Sequence, residues 1–167
     1  TAGPQPDVAY QDGTRQRCAR DAQAAYYNIL EWYVTGDESH AKCAVNILNA
    51  WASAINDTVK GQLFQLPIDI MVQTAEVVRI YSGWSDNDKE KFKQCCLKYF
   101  YPACKNFLGY CGSWPGWDGP ANSCNEIIGI FCDNDSIYQN AIDYYKNGDK
   151  TTGLGGGRLT NMVFDKS

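Results

Sequence analysis

The sequence predicts an all-α protein built as antiparallel helical hairpins. Three observations carry that prediction. Apolar residues recur three and four positions apart through six successive segments. Caps and breakers, among them Thr14, Gly36, Gly83 and Ser85, separate those segments. No stretch alternates with a period of two for long enough to make a strand.

Bulk properties narrow the function classes. A length of 167 residues fits one domain with a substantial core, and a 44% hydrophobic, 13% aromatic composition argues for a folded chain. The net charge of -4 and pI near 4.9 lack the electrostatic footprint of a nucleic-acid binder. No run approaches the roughly 20 apolar residues of a membrane span. Eight cysteines with no CxxC pair and a single histidine speak for disulfides in an oxidising compartment and against a metal. No cofactor motif stands out; the Gly153–Arg158 stretch lacks the Lys-Ser/Thr of a phosphate loop. Acceptor triplets at Asn56 and Asn134 fit secretion, and the first residues lack the apolar core of a signal peptide, as expected after its removal.

Residues 1–13 read as an extended arm. Thr14 caps a first helix to about Val34, with Ala22, Tyr26, Ile29 and Tyr33 at helical spacing. Thr35-Gly36-Asp37 stops it, and a second helix presents Ala44, Leu48, Trp51 and Ile55 on one face. Pro67 suits the first turn of a third helix carrying Ile70, Met71, Val78 and Tyr81. Ser85 begins a fourth, with Asp86, Asp88 and Glu90 favourably placed at its positive end and Pro102 expected to kink or break it. After a loop holding Trp114 and Trp117, a fifth helix is expected from about Pro120 and a sixth over 136–146. The domain therefore spans 14–148, and 149–167 reads as a glycine-rich linker or lid.

In an up-down array, helices one, three and five point the same way. Arg15, Gln65 and Asn122 are then expected at one rim, with Trp114 and Trp117. The helices also constrain the disulfides. Cys95 and Cys96 point about 100° apart and are not expected to bond each other. Cys124 and Cys132 lie roughly 12 Å apart along a helix, too far for a bridge. Cys18 and Cys43 should sit at opposite ends of two antiparallel helices. Cys104–Cys111 reads as a local pair, and the remaining connectivity is open.

Three segments, taken in order, carry a family likeness. YYNILEWYVTGDESHAKCAVNILNAWASAI, over 26–55, resembles the opening of the alginate lyase superfamily of polysaccharide lyases. TAEVVRIYSGWSDNDKEKFKQCCLKYFYP, over 74–102, is similar to its next helix pair, and ANSCNEIIGIFCDNDSIYQNAIDYYKNG, over 121–148, resembles the segment bearing a site asparagine. The resemblance implies part of an incomplete (α/α) toroid, here disulfide-stapled. It implies β-elimination at a uronic acid of an anionic polysaccharide such as alginate or glucuronan, without a required metal or cofactor. By resemblance Asn122 neutralises the C5 carboxylate, with charge stabilisation by its amide. The position after it, histidine in some relatives, is Ser123. The family pattern continues past Ser167 to a catalytic His or Tyr, so the domain is expected to continue beyond the chain end, or a second polypeptide to complete the toroid.

Each candidate has a structural alternative. Asn122 alone reads as a helix cap, and Asn125 as a packing amide. Trp114 and Trp117 stack on sugar rings or pack down their own loop. Arg15 and Gln65 are substrate-binding candidates from the rim geometry. His40, the only histidine, reads as structural, and Glu76 pairs with Arg79 on one helix face. Two rival functions stand beside the lyase. One is a glycoside hydrolase using Asp118 and Glu126; the other is a non-catalytic secreted module that binds carbohydrate or protein.

Overall fold

The first helix, α1 (Thr14–Thr35), buries Cys18, Ala22, Ala25 and Ile29 along one stripe. Its small residues let neighbouring helices approach closely. Gly36 ends it at φ 73°, a left-handed cap that glycine adopts without a Cβ penalty, and its N–H donates to the Trp32 carbonyl at 2.8 Å. Asp37 then caps α2 (Glu38–Ala54), accepting from the Ser39 N–H at 2.8 Å. The two helices form an antiparallel hairpin. Trp51 Nε1 donates to Asp21 Oδ2 at 2.9 Å at one end, and His40 Nδ1 meets Asn28 Oδ1 at 2.9 Å at the other. The structure is a computed structural model that describes residues 3–6, 8, 13–57, 59, 63–109, 115–149 and 159.

Helix α3 (Gln65–Val78) leads to α4 (Asp86–Cys95), where Ser85 accepts from the Asp88 N–H. The sequence anticipates a kink or a break at Pro102; the rod does not break. A π turn (Cys96–Phe100) joins α4 to α5 (Tyr101–Phe107), and the Tyr101 N–H reaches back to the Cys96 carbonyl. Pro102 has no N–H to give and its ring crowds the preceding turn. The wider π turn accommodates the proline without ending the helix.

The start of α6 also differs from expectation. It runs Pro115–Phe131, with Pro120 inside it, so Trp117 and Asp118 lie on a helix and not in a loop. Pro115 opens the helix with a preset φ, which the Gly/Pro-rich composition obscured. Helix α7 (Asp135–Asn147) is capped by Asn134, whose side chain accepts from the Ile137 N–H at 3.1 Å.

These elements pack as an α/α arrangement. Helices α1, α3 and α6 form one row, in which α3 touches both neighbours. They run parallel: Gln65 meets Trp117 at the starts of α3 and α6, Arg79 meets Phe131 at their ends, and the Trp32 and Tyr81 rings meet at the ends of α1 and α3. The α4–α5 rod returns antiparallel, with α4 against α2 and α5 against α6, while α7 folds back along α6. Trp84, Phe92 and Phe131 cluster at one end, with centroids 5.5–6.1 Å apart. All three are at most 1% exposed, and burying each such ring stabilises the fold by roughly 1.5–3 kcal/mol. From the arm, Val8 enters the core and the Pro6 carbonyl accepts from the N–H groups of Asn56 and Asp57.

Candidate active site

A cavity opens between α5, α6 and α7. Gly129 on α6 lies so close to α7 that an added Cβ would stand 2.6 Å from the Tyr138 backbone nitrogen. The backbones therefore touch near the end of α6, while toward its start the two helices meet through side chains, Tyr144 on Asp118 and Asn122 on the Ala141 carbonyl. The α6 face turned to α7 carries Asp118, Asn122 and Asn125, at helical spacing, in place of apolar residues.

This cavity holds about 400 Å³ and is lined by those two asparagines, by Tyr101 and Lys105 of α5, and by Asn140, Asp143 and Tyr144 of α7. Asn122 is 4% exposed and donates through Nδ2 to the Ala141 carbonyl at 3.0 Å. The Oδ1 atoms of Asn122 and Asn125 are buried and accept no hydrogen bond within the described protein. Leaving such an acceptor dry costs about 1–3 kcal/mol, so the polar stripe is not explained by helix packing alone. Lys105 is exposed at the mouth, its Nζ 5.7 Å from the Tyr101 ring centroid. Tyr144 donates to Asp118 Oδ2 at 2.5 Å. Burial, then the Asp118 partner, pushes the Tyr144 hydroxyl well above its ordinary value, so it stays a proton donor.

The structure separates the residues singled out in the sequence. Asn122 and Asn125 share this cavity. Gln65 stands nearby at the shared rim but is fully buried, with Nε2 donating to the Trp117 carbonyl at 3.3 Å. That burial leaves it no surface for a polymer. Trp117 is half-buried and packs against Phe107, centroids 6.3 Å apart, so it closes the base of the rim as a packing ring. Arg15 occupies the first turn of α1, half-buried. Trp114 lies outside the described residues, as does Cys111.

Ser123 turns away from Asn122, onto the face shared with α3. Its hydroxyl donates to Asp69 Oδ1 at 3.2 Å, beside Gln73. Burial raises the Asp69 carboxyl above the usual range and Glu126 adds to it, against the hydrogen bonds from Ser123 and Gln73. The paired carboxylates of a hydrolase do not form. Asp118 is fully buried, bonded by the Gly109 N–H and Tyr144, while Glu126 faces the α3 side.

Glu76 and Arg79 do pair, at 2.9 Å, and Arg79 reaches further. It donates to Asp133 and to the Ile130 and Phe131 carbonyls, the unsatisfied end of α6. His40 Nδ1 meets Asn28 Oδ1 at 2.9 Å, a structural role in the α1–α2 hairpin. Sequence reasoning missed Tyr101, Lys105 and Tyr144 as cavity residues. The signal was present in part: Tyr101 and Lys105 are four apart on α5, hence on one face, but the anticipated break at Pro102 hid that register.

No helix among the described residues is long and apolar enough to cross a membrane. Comparison with curated proteins and with solved structures returned no match. Comparison with protein families did: the alginate lyase family matches residues 3–103, from the arm through the π turn into α5. The match ends before α6, so it covers Tyr101 but neither Lys105 nor the asparagines. It spans the first two hairpins, whose Thr-Gly-Asp turn and Gly-Trp-Ser corner follow the parallel helices α1 and α3 and so lie at one end of the helical row. With more than half of its length matched and with its helices packed in the α/α manner, this chain belongs to the alginate lyase family.

Proposed function

We propose that the chain is a secreted polysaccharide lyase, or a portion of one, that cleaves a uronate-containing polymer such as alginate or glucuronan by β-elimination. The observation that carries the proposal is the α5–α6–α7 cavity, where a cation, a phenol and two buried amides meet. Elimination needs the C5 carboxylate neutralised, the C5 proton removed, and a proton given to the leaving O4. Lys105 supplies the positive charge for the carboxylate. Asn122 keeps one N–H beyond the bond to Ala141 for the developing enolate-like charge, and its Oδ1, with that of Asn125, accepts from sugar hydroxyls. Tyr101 gives the leaving O4 its proton: a base takes the C5 proton, the C5–H electron pair forms the C4=C5 double bond, and the C4–O4 bond breaks as O4 departs protonated.

Arg15, at the rim, extends the positive surface toward further uronates along the polymer. A second polypeptide, or further chain, completes the cleft and supplies the other proton-transfer group. The test is direct. The chain, together with the polypeptide or further chain that completes its cleft, is incubated with alginate and with glucuronan, and far-ultraviolet absorbance of the unsaturated uronate is followed. Product from either polymer that is lost in Lys105→Ala and Tyr101→Phe supports the reading. Product that persists in both variants removes the cavity from the chemistry.

A further inference from the structure

Four cysteines stand in two pairs across the seam between the α4–α5 rod and α6. Cys96, in the π turn, is fully buried with a free thiol, and that thiol neighbours the one of Cys132, one residue beyond α6. Cys104, on α5, is fully buried and meets Cys124, on α6, in the same way. The register is consistent. Cys96 and Cys104 are eight residues apart, and so are Cys124 and Cys132, on elements that run antiparallel. The π turn takes up an extra residue on the rod and so brings Cys96 and Cys104 toward a common face. A buried thiol by itself is an ordinary small apolar residue. Two sulfur–sulfur contacts in matching register across one seam are a different observation.

We propose that Cys96–Cys132 and Cys104–Cys124 are disulfide bridges that clamp the α4–α5 rod to the C-terminal end and the middle of α6. This replaces the local Cys104–Cys111 pairing that spacing suggests. The neighbouring Cys95 faces elsewhere, within electrostatic reach of Cys18 on α1.

The chemistry is thiol–disulfide exchange with a small disulfide donor such as oxidised glutathione. Cys132 is half-exposed, and the hydrogen bond from Cys96 lowers its thiol, with Lys93 and Arg79 acting in the same direction. Burial raises Cys96 and Cys124 far above the ordinary range. Cys132 is therefore the attacking thiolate. It bonds to one sulfur of the donor, breaks the donor S–S bond and releases one small thiolate. That thiolate takes the Cys96 proton, and the Cys96 sulfur attacks Cys132, releasing the second small thiolate. Two protein thiols are oxidised and one donor disulfide is reduced to two thiols. The inner pair, Cys104 and Cys124, reacts by the same steps before α6 seats, since burial later closes it to any donor.

The experiment is peptide mapping of the full chain after refolding in a glutathione redox buffer. Free thiols are alkylated without reduction, and the protein is cut with trypsin and with a protease acting at Asp118 and Glu126. The expected result joins the Cys96 peptide to the one bearing Cys132, and the Cys104 peptide to the one bearing Cys124, with fragmentation assigning Cys96 and not Cys95. Cys132→Ser then makes Cys96, and no cysteine of the inner pair, newly reactive to the alkylating agent. Linkage of Cys104 to Cys111, or alkylation of all four cysteines once the unreduced protein is unfolded in denaturant, overturns the proposal. The outcome is independent of whether the chain cleaves a polymer.

Discussion

The Tyr144 hydroxyl donates to Asp118 Oδ2 at 2.5 Å and joins the last turn of α7 to the first turns of α6. The same carboxylate accepts from the Gly109 N–H at 3.1 Å, so it also anchors the end of α5. Three elements that frame the cavity are thus tied through one buried carboxylate. Removing the phenol in Tyr144→Phe leaves that carboxylate with fewer donors, and the expected loss of stability is about 1–3 kcal/mol. Denaturant unfolding of the two proteins measures it.

The same pair sets an alkaline limit. Tyr144 holds its proton in the folded state well past the ordinary tyrosine value of 10.0, because of burial and then Asp118. A raised folded value means that its contribution is full below about pH 10 and is lost as the pH rises beyond that, where the unfolded chain ionises first. Thermal midpoints taken across that range should fall more steeply for the wild type than for Tyr144→Phe. Parallel slopes would remove the linkage from Tyr144.

Arg79 closes the far end of α6. Its guanidinium bridges Glu76 and Asp133 and donates to two terminal carbonyls, against the Phe131 ring. A cation there opposes the negative end of the helix dipole. Arg79→Ala should cost about 1–2 kcal/mol through lost carbonyl caps and packing. Lyase turnover per folded molecule should be unchanged, since the cavity lies at the other end of α6.

Gly129 sets the angle between α6 and α7. A methyl group there meets the Tyr138 backbone at 2.6 and 2.9 Å, and backbone yields less readily than a side-chain tip. Gly129→Ala should destabilise by about 1–3 kcal/mol through forced displacement of α7. Unlike Arg79→Ala, it should also disturb polymer cleavage, because moving α7 changes the cavity walls. Equal effects of the two variants on turnover would contradict that distinction.

Much of this architecture was legible in the chain. The apolar stripes and the Thr35-Gly36-Asp37 and Gly83–Ser85 punctuation located the first two hairpins, and the parallel sense of α1, α3 and α6 followed from them. What misled was proline. Pro102 sits inside a continuous rod because a π turn accommodates it, and Pro120 sits inside α6 because the helix begins at Pro115. Single-sequence rules treat such prolines as ends. The candidate site was half legible. Asn122 and Asn125 face one cavity, but Lys105, Tyr101 and Tyr144 reach it only through the packing of α5 and α7, which no local pattern encodes. Gln65 and Trp117 share the rim as expected, yet they meet each other there and seal it.

The central claim is that the α5–α6–α7 cavity performs uronate elimination, and Lys105 tests it most directly. Lys105 is exposed, so Lys105→Ala should leave the fold intact, as circular dichroism and the thermal midpoint will verify. On alginate or glucuronan the account predicts unsaturated product from the wild type with its cleft completed and, for the variant, a loss of about a hundredfold to a thousandfold, the range for one charge-stabilising group. Unsaturated product formed equally by both proteins, or by neither on either polymer, would contradict it.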